Sequence, residues 1–356
     1  MIIDKENKRV IFNRRALLQG AGAAGIALAG AGAIGTLTDL AVPQKAEAAS
    51  TFWKGCDVSW AQQMEATGYH FYNASGVQTD IFAILASYGC NAIRLRTWVN
   101  PSTDPVNGHC SASETASMAA RAKAAGMAVY IDIHYGDTWN SVGTQNPPAA
   151  WASYNYSDMT TAVYNYTYHL MNVIKSAGVT PTWVSLGNEI NTGLLHPIGN
   201  NTIPAQMVGL INAGYAMVKE VFPSALCMIH LAQPQTASGI TNMLTPFFAN
   251  GGKCDILGFS SYGGYSVAAS IVADMAGFAT QYGKPYMQVE FGGASSNPAQ
   301  TAKSLNAYVA ALRANNGLGF FYWEPEGYSP FDTWTESAWQ TNGQPIVQIM
   351  SAFQTA

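Results

Sequence analysis

Eight short apolar runs recur along this chain, at 55–59, 92–98, 128–134, 182–188, 226–231, 256–262, 285–290 and 318–323. Between them lie stretches with helical period near 78–88, 112–125, 158–177, 205–221, 266–282 and 299–315, with a weaker one at 241–250 and a last near 346–354. Short apolar runs bounded by turn residues read as buried strands, and apolar residues three and four apart read as helices. Gly89, Gly126, Gly178, Gly283 and Gly317 stand just ahead of strands, where glycine supplies the left-handed conformation that ends a helix. Strand and helix alternating eight times in one uninterrupted chain predict an α/β fold of the (β/α)8 TIM-barrel type. A doubly wound open sheet is the alternative. It needs a phosphate-binding glycine turn after the first strand, and Ser59-Trp-Ala-Gln-Gln63 is not one.

Residues 1–48 stand apart from this pattern. Arg14 and Arg15 precede a Gly/Ala-rich apolar stretch from Ala16 to about Ile34, and Ala46-Glu-Ala48 offers small residues for cleavage. That is the layout of a twin-arginine export signal. An uncleaved membrane anchor is the rival, but the glycines dilute the apolar density that a stable span needs. A cleaved signal and a secreted or periplasmic product are therefore expected, with no membrane contact afterwards. No linker, charge run or repeat interrupts residues 49–356, which are expected to form one catalytic domain and a monomer. Net charge is −4, only 11% of residues are charged, and no basic cluster is present, which argues against nucleic acid as a partner. Five cysteines, an odd number without metal-ligand spacing, assign no disulfide.

In a barrel of this kind the active site lies at the C-terminal ends of the strands, and those ends are chemically rich here. In chain order they carry Asp57 and Ser59, Arg94 and Arg96, His134 with Asp137, Asn188 with Glu189, His230, Tyr262, Glu290, and Trp323. The opposite ends are poorer. Glu189 and Glu290 matter most, because a carboxylate is rarely buried unless it is paired or hydrogen-bonded. Two carboxyl groups at facing strand tips are what cleavage of a glycosidic bond requires, one to protonate the leaving oxygen and one to attack the sugar or activate water. Arg94 and Arg96 are two apart on a strand and so share a face. Buried, they need carboxylate partners, and Asp57 and Glu290 are natural ones; a purely structural arginine–aspartate network is the alternative for both. His134 and His230 read as hydrogen-bonding groups, since no His-x-x-x-His or His–carboxylate spacing supports a metal. Trp139 and Trp323 are candidates for stacking on sugar faces, with core packing the alternative for each. Glu324 and Glu326, following the eighth strand, read as rim residues.

Several motifs resemble glycoside hydrolase family 53, the endo-β-1,4-galactanases. The segments are Gly55-Cys-Asp-Val-Ser59, Asn91-Ala-Ile-Arg-Leu-Arg-Thr-Trp-Val-Asn-Pro101, Asp132-Ile-His-Tyr-Gly-Asp-Thr-Trp139 and Trp183-Val-Ser-Leu-Gly-Asn-Glu-Ile-Asn191. The resemblance runs from about Phe52 to Glu290, and the Arg-Leu-Arg-x-Trp-Val-Asn-Pro block is its most specific part. It implies a retaining hydrolase of galactan that needs no cofactor, with Glu189 as acid/base, Glu290 as nucleophile and Asn188 on the sugar 2-hydroxyl. A retaining pair sits about 5–5.5 Å apart. A different β-glycan, or a non-catalytic carbohydrate-binding barrel, are the other readings. Asn140-Ser-Val142, His196, Ala232-Gln-Pro-Gln-Thr236 and Phe291-Gly-Gly293 depart from the family pattern. These loops are expected to face substrate, so the glycan and its length are what the departures affect.

Overall fold

The computed structural model of the protein describes residues 51–356 and, before them, only the pairing of Ile2–Ile3 with Val10–Ile11. The export signal read from Arg14 and Arg15 lies outside the described residues.

Eight strands form a closed barrel: β1 Trp53–Asp57, β2 Ala92–Thr97, β3 Ala128–Ile133, β4 Trp183–Leu186, β5 Leu226–Ala232, β6 Ile256–Ser260, β7 Tyr286–Glu290 and β8 Gly319–Trp323. Each runs parallel to the next, and β8 returns to β1 with Gly319 opposite Trp53 and Trp323 opposite Asp57. The TIM barrel expected from the alternation is the fold observed. Around it run α1 Ala61–Ala66, α2 Ile81–Ser87, α3 Ala112–Ala124, α4 Tyr156–Ser176, α5 Pro204–Val221, α6 Ala237–Ala249, α7 Ala268–Tyr282 and α8 Pro298–Ala314. The short α9 Val347–Met350 and α10 Ala352–Thr355 close the chain. Local chemistry sets the helix starts. Asp80 caps α2 through the Phe82 amide, and Ser111 with Glu114 forms a reciprocal capping box on α3, each of which satisfies amides that have no partner within the helix. The weak 241–250 segment overlaps α6 and ends on its C-cap, Asn250, and α1 has no counterpart in the sequence pattern.

Strand alternation divides the barrel interior into two layers. Ala92, Tyr130, Trp183, Met228, Met287 and Phe321 pack together as an apolar floor. Gly55 belongs to this layer because a Cβ there would overlap the Phe321 ring. Nearer the C-terminal strand ends the same inward parity brings Asp57, Arg94, Asp132, Ser185 and His230, all buried. Ile93, Leu95, Val129, Ile131, Val184 and Ile229 join the outer core against the helices. The polar layer thus rests on a dry floor that holds its groups at the barrel mouth. All five cysteines are free and buried, and among the described residues no helix is long and apolar enough to cross a membrane.

Candidate active site

Several strands, β4 among them, end earlier than the sequence pattern suggests, and at β4 the break positions the chemistry. β4 stops at Leu186, and the backbone then turns through Gly187 (φ +106°) to Glu189 (φ +49°). A left-handed conformation at a non-glycine residue costs on the order of 1–3 kcal/mol and persists only where surrounding bonds enforce it. Gln145 Nε2 donates to the carbonyls of Asn188 (2.8 Å) and Glu189 (3.3 Å), and the Ile190 amide donates to the His230 carbonyl at 2.9 Å. The Asn188 amide group donates to the Asn140 carbonyl at 2.7 Å and its oxygen accepts from Arg94 at 2.9 Å. The Ser260 hydroxyl donates to Glu189 Oε1 at 2.6 Å.

Arg94 is the hub. Its Nη1 meets Asp57 Oδ2 at 2.7 Å, and its Nη2 meets Asp132 Oδ2 at 2.8 Å and Glu290 Oε1 at 2.9 Å. Asp57 and Glu290 are the partners expected from the sequence; Asp132 is an additional one. The Ser185 hydroxyl donates to the other oxygen of Asp132. Burial works to raise the Asp132 carboxyl, but Arg94 and then His134 more than offset it and hold the group well below the usual carboxylate range. Tyr262 donates to Glu290 Oε2 at 2.8 Å. Burial lifts the Glu290 carboxyl to about 8; Arg94 opposes this, the Glu189 charge adds to it, and the Tyr262 bond opposes it. Oxygens of Glu189 and Glu290 and a ring nitrogen of His230 all lie within 4.8 Å of one another. Three such ligand atoms invite comparison with a metal centre, but the chemistry does not fit. The Glu290 oxygens are committed to Arg94 and Tyr262, so a cation there would face a guanidinium bonded to the same carboxylate.

The two histidines have different surroundings. His134 Nδ1 accepts from the Asn140 amide at 3.1 Å and its Nε2 lies 3.2 Å from Asp132 Oδ2, which places the proton of the neutral ring on Nε2. His230 is fully buried, neither ring nitrogen has a partner, and Nε2 is 3.9 Å from Glu290. Burial, reinforced by Arg94, lowers His230 to about 3. It is therefore a neutral ring with one free donor and one free acceptor beside the two glutamates.

Two readings need correction. Asp137 is not brought to the cleft: its oxygens accept from the backbone amides of Asn100 (3.0 Å) and Ala149 (2.9 Å), so it braces two loops. Glu324 and Glu326 are not rim residues but fully buried. Glu324 takes φ +45° and bonds Arg96, so the carboxylate partner of Arg96 is Glu324 and not Asp57 or Glu290.

The open space over these groups has two chambers. The first, about 450 Å³, is lined by Arg94, Arg96, His134, Trp139, Asn140, Ser141, Asn188, Glu189, Tyr262, Glu290, Trp323, Trp334 and Glu336. The second, about 440 Å³, is lined by Glu189, Tyr262, Ala232, Gln233, Gln235 and Ser260 to Gly263. Glu189 and Tyr262 border both chambers, whereas Glu290 borders only the first. Trp334 and Glu336 went unnoticed in the sequence because they lie in a loop with no periodicity; the tryptophan alone was a signal. Asp57 sits behind Arg94, fully buried.

The family model of "Glycosyl hydrolase family 53" matches residues 53–348. An arabinogalactan endo-β-1,4-galactanase of Thermothelomyces thermophilus is 32% identical over 300 residues, covering 77% of this chain and 89% of that protein. A solved family 53 catalytic domain from Ignisphaera aggregans superposes with a TM-score of 0.78 at 27% identity, covering 85% of this chain and 95% of that one. A solved fungal β-1,4-galactanase gives 0.77 at 27% identity, with 85% and 99% covered.

Proposed function

This chain belongs to glycosyl hydrolase family 53, and on that footing we propose that it is an exported endo-β-1,4-galactanase that cleaves with retention of configuration. One observation carries the mechanism: the carboxylates of Glu189 and Glu290 approach within 4.8 Å. Retaining pairs stand about 5–5.5 Å apart, whereas an inverting pair needs roughly 6.5–9.5 Å to admit a water between them. The names of the relatives support galactan as the glycan.

In the proposed reaction a Glu290 oxygen attacks the anomeric carbon while Glu189 gives its proton to the departing glycosidic oxygen. The resulting glycosyl ester is then cut by a water that surrenders a proton to Glu189, which frees Glu290 and restores the acid. The carboxyl pair must hold one proton between them. Two donors, Arg94 and Tyr262, converge on Glu290, and one, Ser260, on Glu189. Hydrogen bonds to the charged form favour it, so Arg94 and Tyr262 oppose the burial that raises Glu290 to about 8 and support its ionised form as nucleophile. The two chambers divide in the same sense. The nucleophile faces the glycone, so the first chamber, with Trp139, Trp323 and Trp334, takes that side. The acid lies between scissile oxygen and leaving group, so the second chamber, with Gln233 and Gln235, takes the leaving sugars. Asn188, which borders the first chamber, is assigned to a sugar hydroxyl; His134 has both ring nitrogens engaged by Asn140 and Asp132, and the fully buried His230 borders neither chamber.

Incubation with a panel of plant β-glycans, with products identified, tests this reading. Galactan is expected to yield short galacto-oligosaccharides of retained β configuration at first release. Product from a mannan or glucan but not from galactan would replace the substrate and keep the mechanism, and no product from any glycan would favour a binding barrel. Export rests on the leader alone. Lysine at both Arg14 and Arg15 is expected to leave uncleaved precursor in the cytoplasm, whereas the parent yields a chain beginning near Ala49; normal export of the double variant would remove the twin-arginine assignment.

A further inference from the structure

The barrel mouth holds more acid than its cations can balance. Asp57, Asp132, Glu290, Glu324 and Glu326 are all less than a tenth exposed, and the guanidiniums among them are Arg94 and Arg96. Five carboxyls against two guanidiniums leave a surplus of three, and buried charge without a partner is not tolerated. Arg94 serves the first three. Arg96 bonds only Glu324.

Glu326 is the group left over. Neither of its oxygens has a hydrogen-bond partner among the ordinary donors, and its carboxyl lies against that of Glu324. Two ionised carboxylates cannot bond each other; a neutral carboxyl donates one O–H bond to an ionised one. The local backbone fixes the pair. Glu324 sits at φ +45°, the Gly327 amide donates to its carbonyl at 3.2 Å, and the Pro325 carbonyl accepts from Ser337 (2.8 Å) and Ala338 (2.7 Å).

We propose that Glu326 is a standing neutral acid whose proton bonds Glu324 and so positions Arg96 in the cleft wall. Arg96 lies over the indole rings of Trp139, Trp98 and Trp60 at 4.4, 5.2 and 5.3 Å, and Arg96 and Trp139 both border the first chamber. Glu326 acts on substrate only through these two side chains. The other titratable groups facing the pair are Asp57 and Cys56 on β1, and Cys110 beside Arg96. Burial, then the Glu324 charge, raises Glu326 well above the ordinary carboxyl range, in agreement with the bonding.

The unfolded chain releases this proton above about 4.3, whereas the folded chain keeps it. The group is therefore most compatible with folding below that value and weakens the fold as pH rises. Glutamine keeps an N–H donor to Glu324 and has nothing to titrate.

Difference infrared spectra of the full-length chain are expected to show a neutral-acid carbonyl band that Glu326→Gln loses. The Tm of Glu326→Gln relative to the parent is expected to climb steadily from pH about 5 to about 9. Glu326→Ala is expected to raise KM roughly tenfold with kcat nearly unchanged, and Glu326→Gln to restore it. The spectra and melting curves need no substrate, so they hold whichever glycan is cut. If no band disappears, if the two Tm curves run parallel, or if Glu326→Gln behaves like Glu326→Ala, Glu326 is ionised and the proposal is overturned.

Discussion

Glu290→Ala is expected to lose turnover on every substrate by at least about a thousandfold, because no covalent intermediate can form without the nucleophile. Glu189→Ala is expected to behave differently. On aryl glycosides, whose leaving groups need little protonation, it keeps measurable activity, and added azide raises that activity by replacing the missing base in the second step. Rescue of Glu290→Ala instead would exchange the two roles, and near-parental activity in both would remove the pair from the mechanism. The pH dependence adds an independent check. Burial carries the Glu290 carboxyl up to about 8, and a carboxyl must be ionised to attack the sugar. On an aryl glycoside whose leaving group needs little protonation, kcat/KM should therefore rise as pH climbs toward about 8; a rate that is flat or falling over that range would show that Glu290 is not the titrating nucleophile.

Arg94→Met is expected to cost about 3–5 kcal/mol of folding stability, the usual result of stranding a buried charge. Here the loss is concentrated, because one guanidinium serves Asp57, Asp132 and Glu290 together. Denaturant unfolding at neutral pH measures it. Mild acid should recover part of the loss by protonating the stranded carboxyls. A variant within about 1 kcal/mol of the parent would mean that the three acids share their protons without the arginine.

Much of this was open to inspection in the chain itself. The barrel follows from eight alternations of period, five of them marked by a glycine ahead of the strand, because a parallel strand buried on both faces has to be apolar along its length. Glu189, Glu290, Arg94 and Asp57 were visible as polar residues at the ends of such runs, where only the mouth of a barrel gives them partners. The family was visible in the Arg-Leu-Arg-x-Trp-Val-Asn-Pro block, in which each charged residue must point to the same interior.

What the chain alone could not decide is where residues beyond a strand end turn. Glu324 and Glu326 follow β8 in a polar segment that reads as rim. The left-handed turn at Glu324 and the bonds to Pro325 direct both carboxyls inward. Asp137 reads as a cleft acid beside Trp139, but two distant amides claim its oxygens. Asp132 and Ser260 became part of the site only when neighbouring strands placed them against Arg94 and Glu189. The reason is physical. Periodicity reports which face of a strand or helix is dry, and so it determined the barrel and the residues at its mouth. Hydrogen-bond partners of loop residues are set by groups far away in sequence, and so tertiary structure alone decided which acids touch the cleft, which brace it, and which of them must keep a proton.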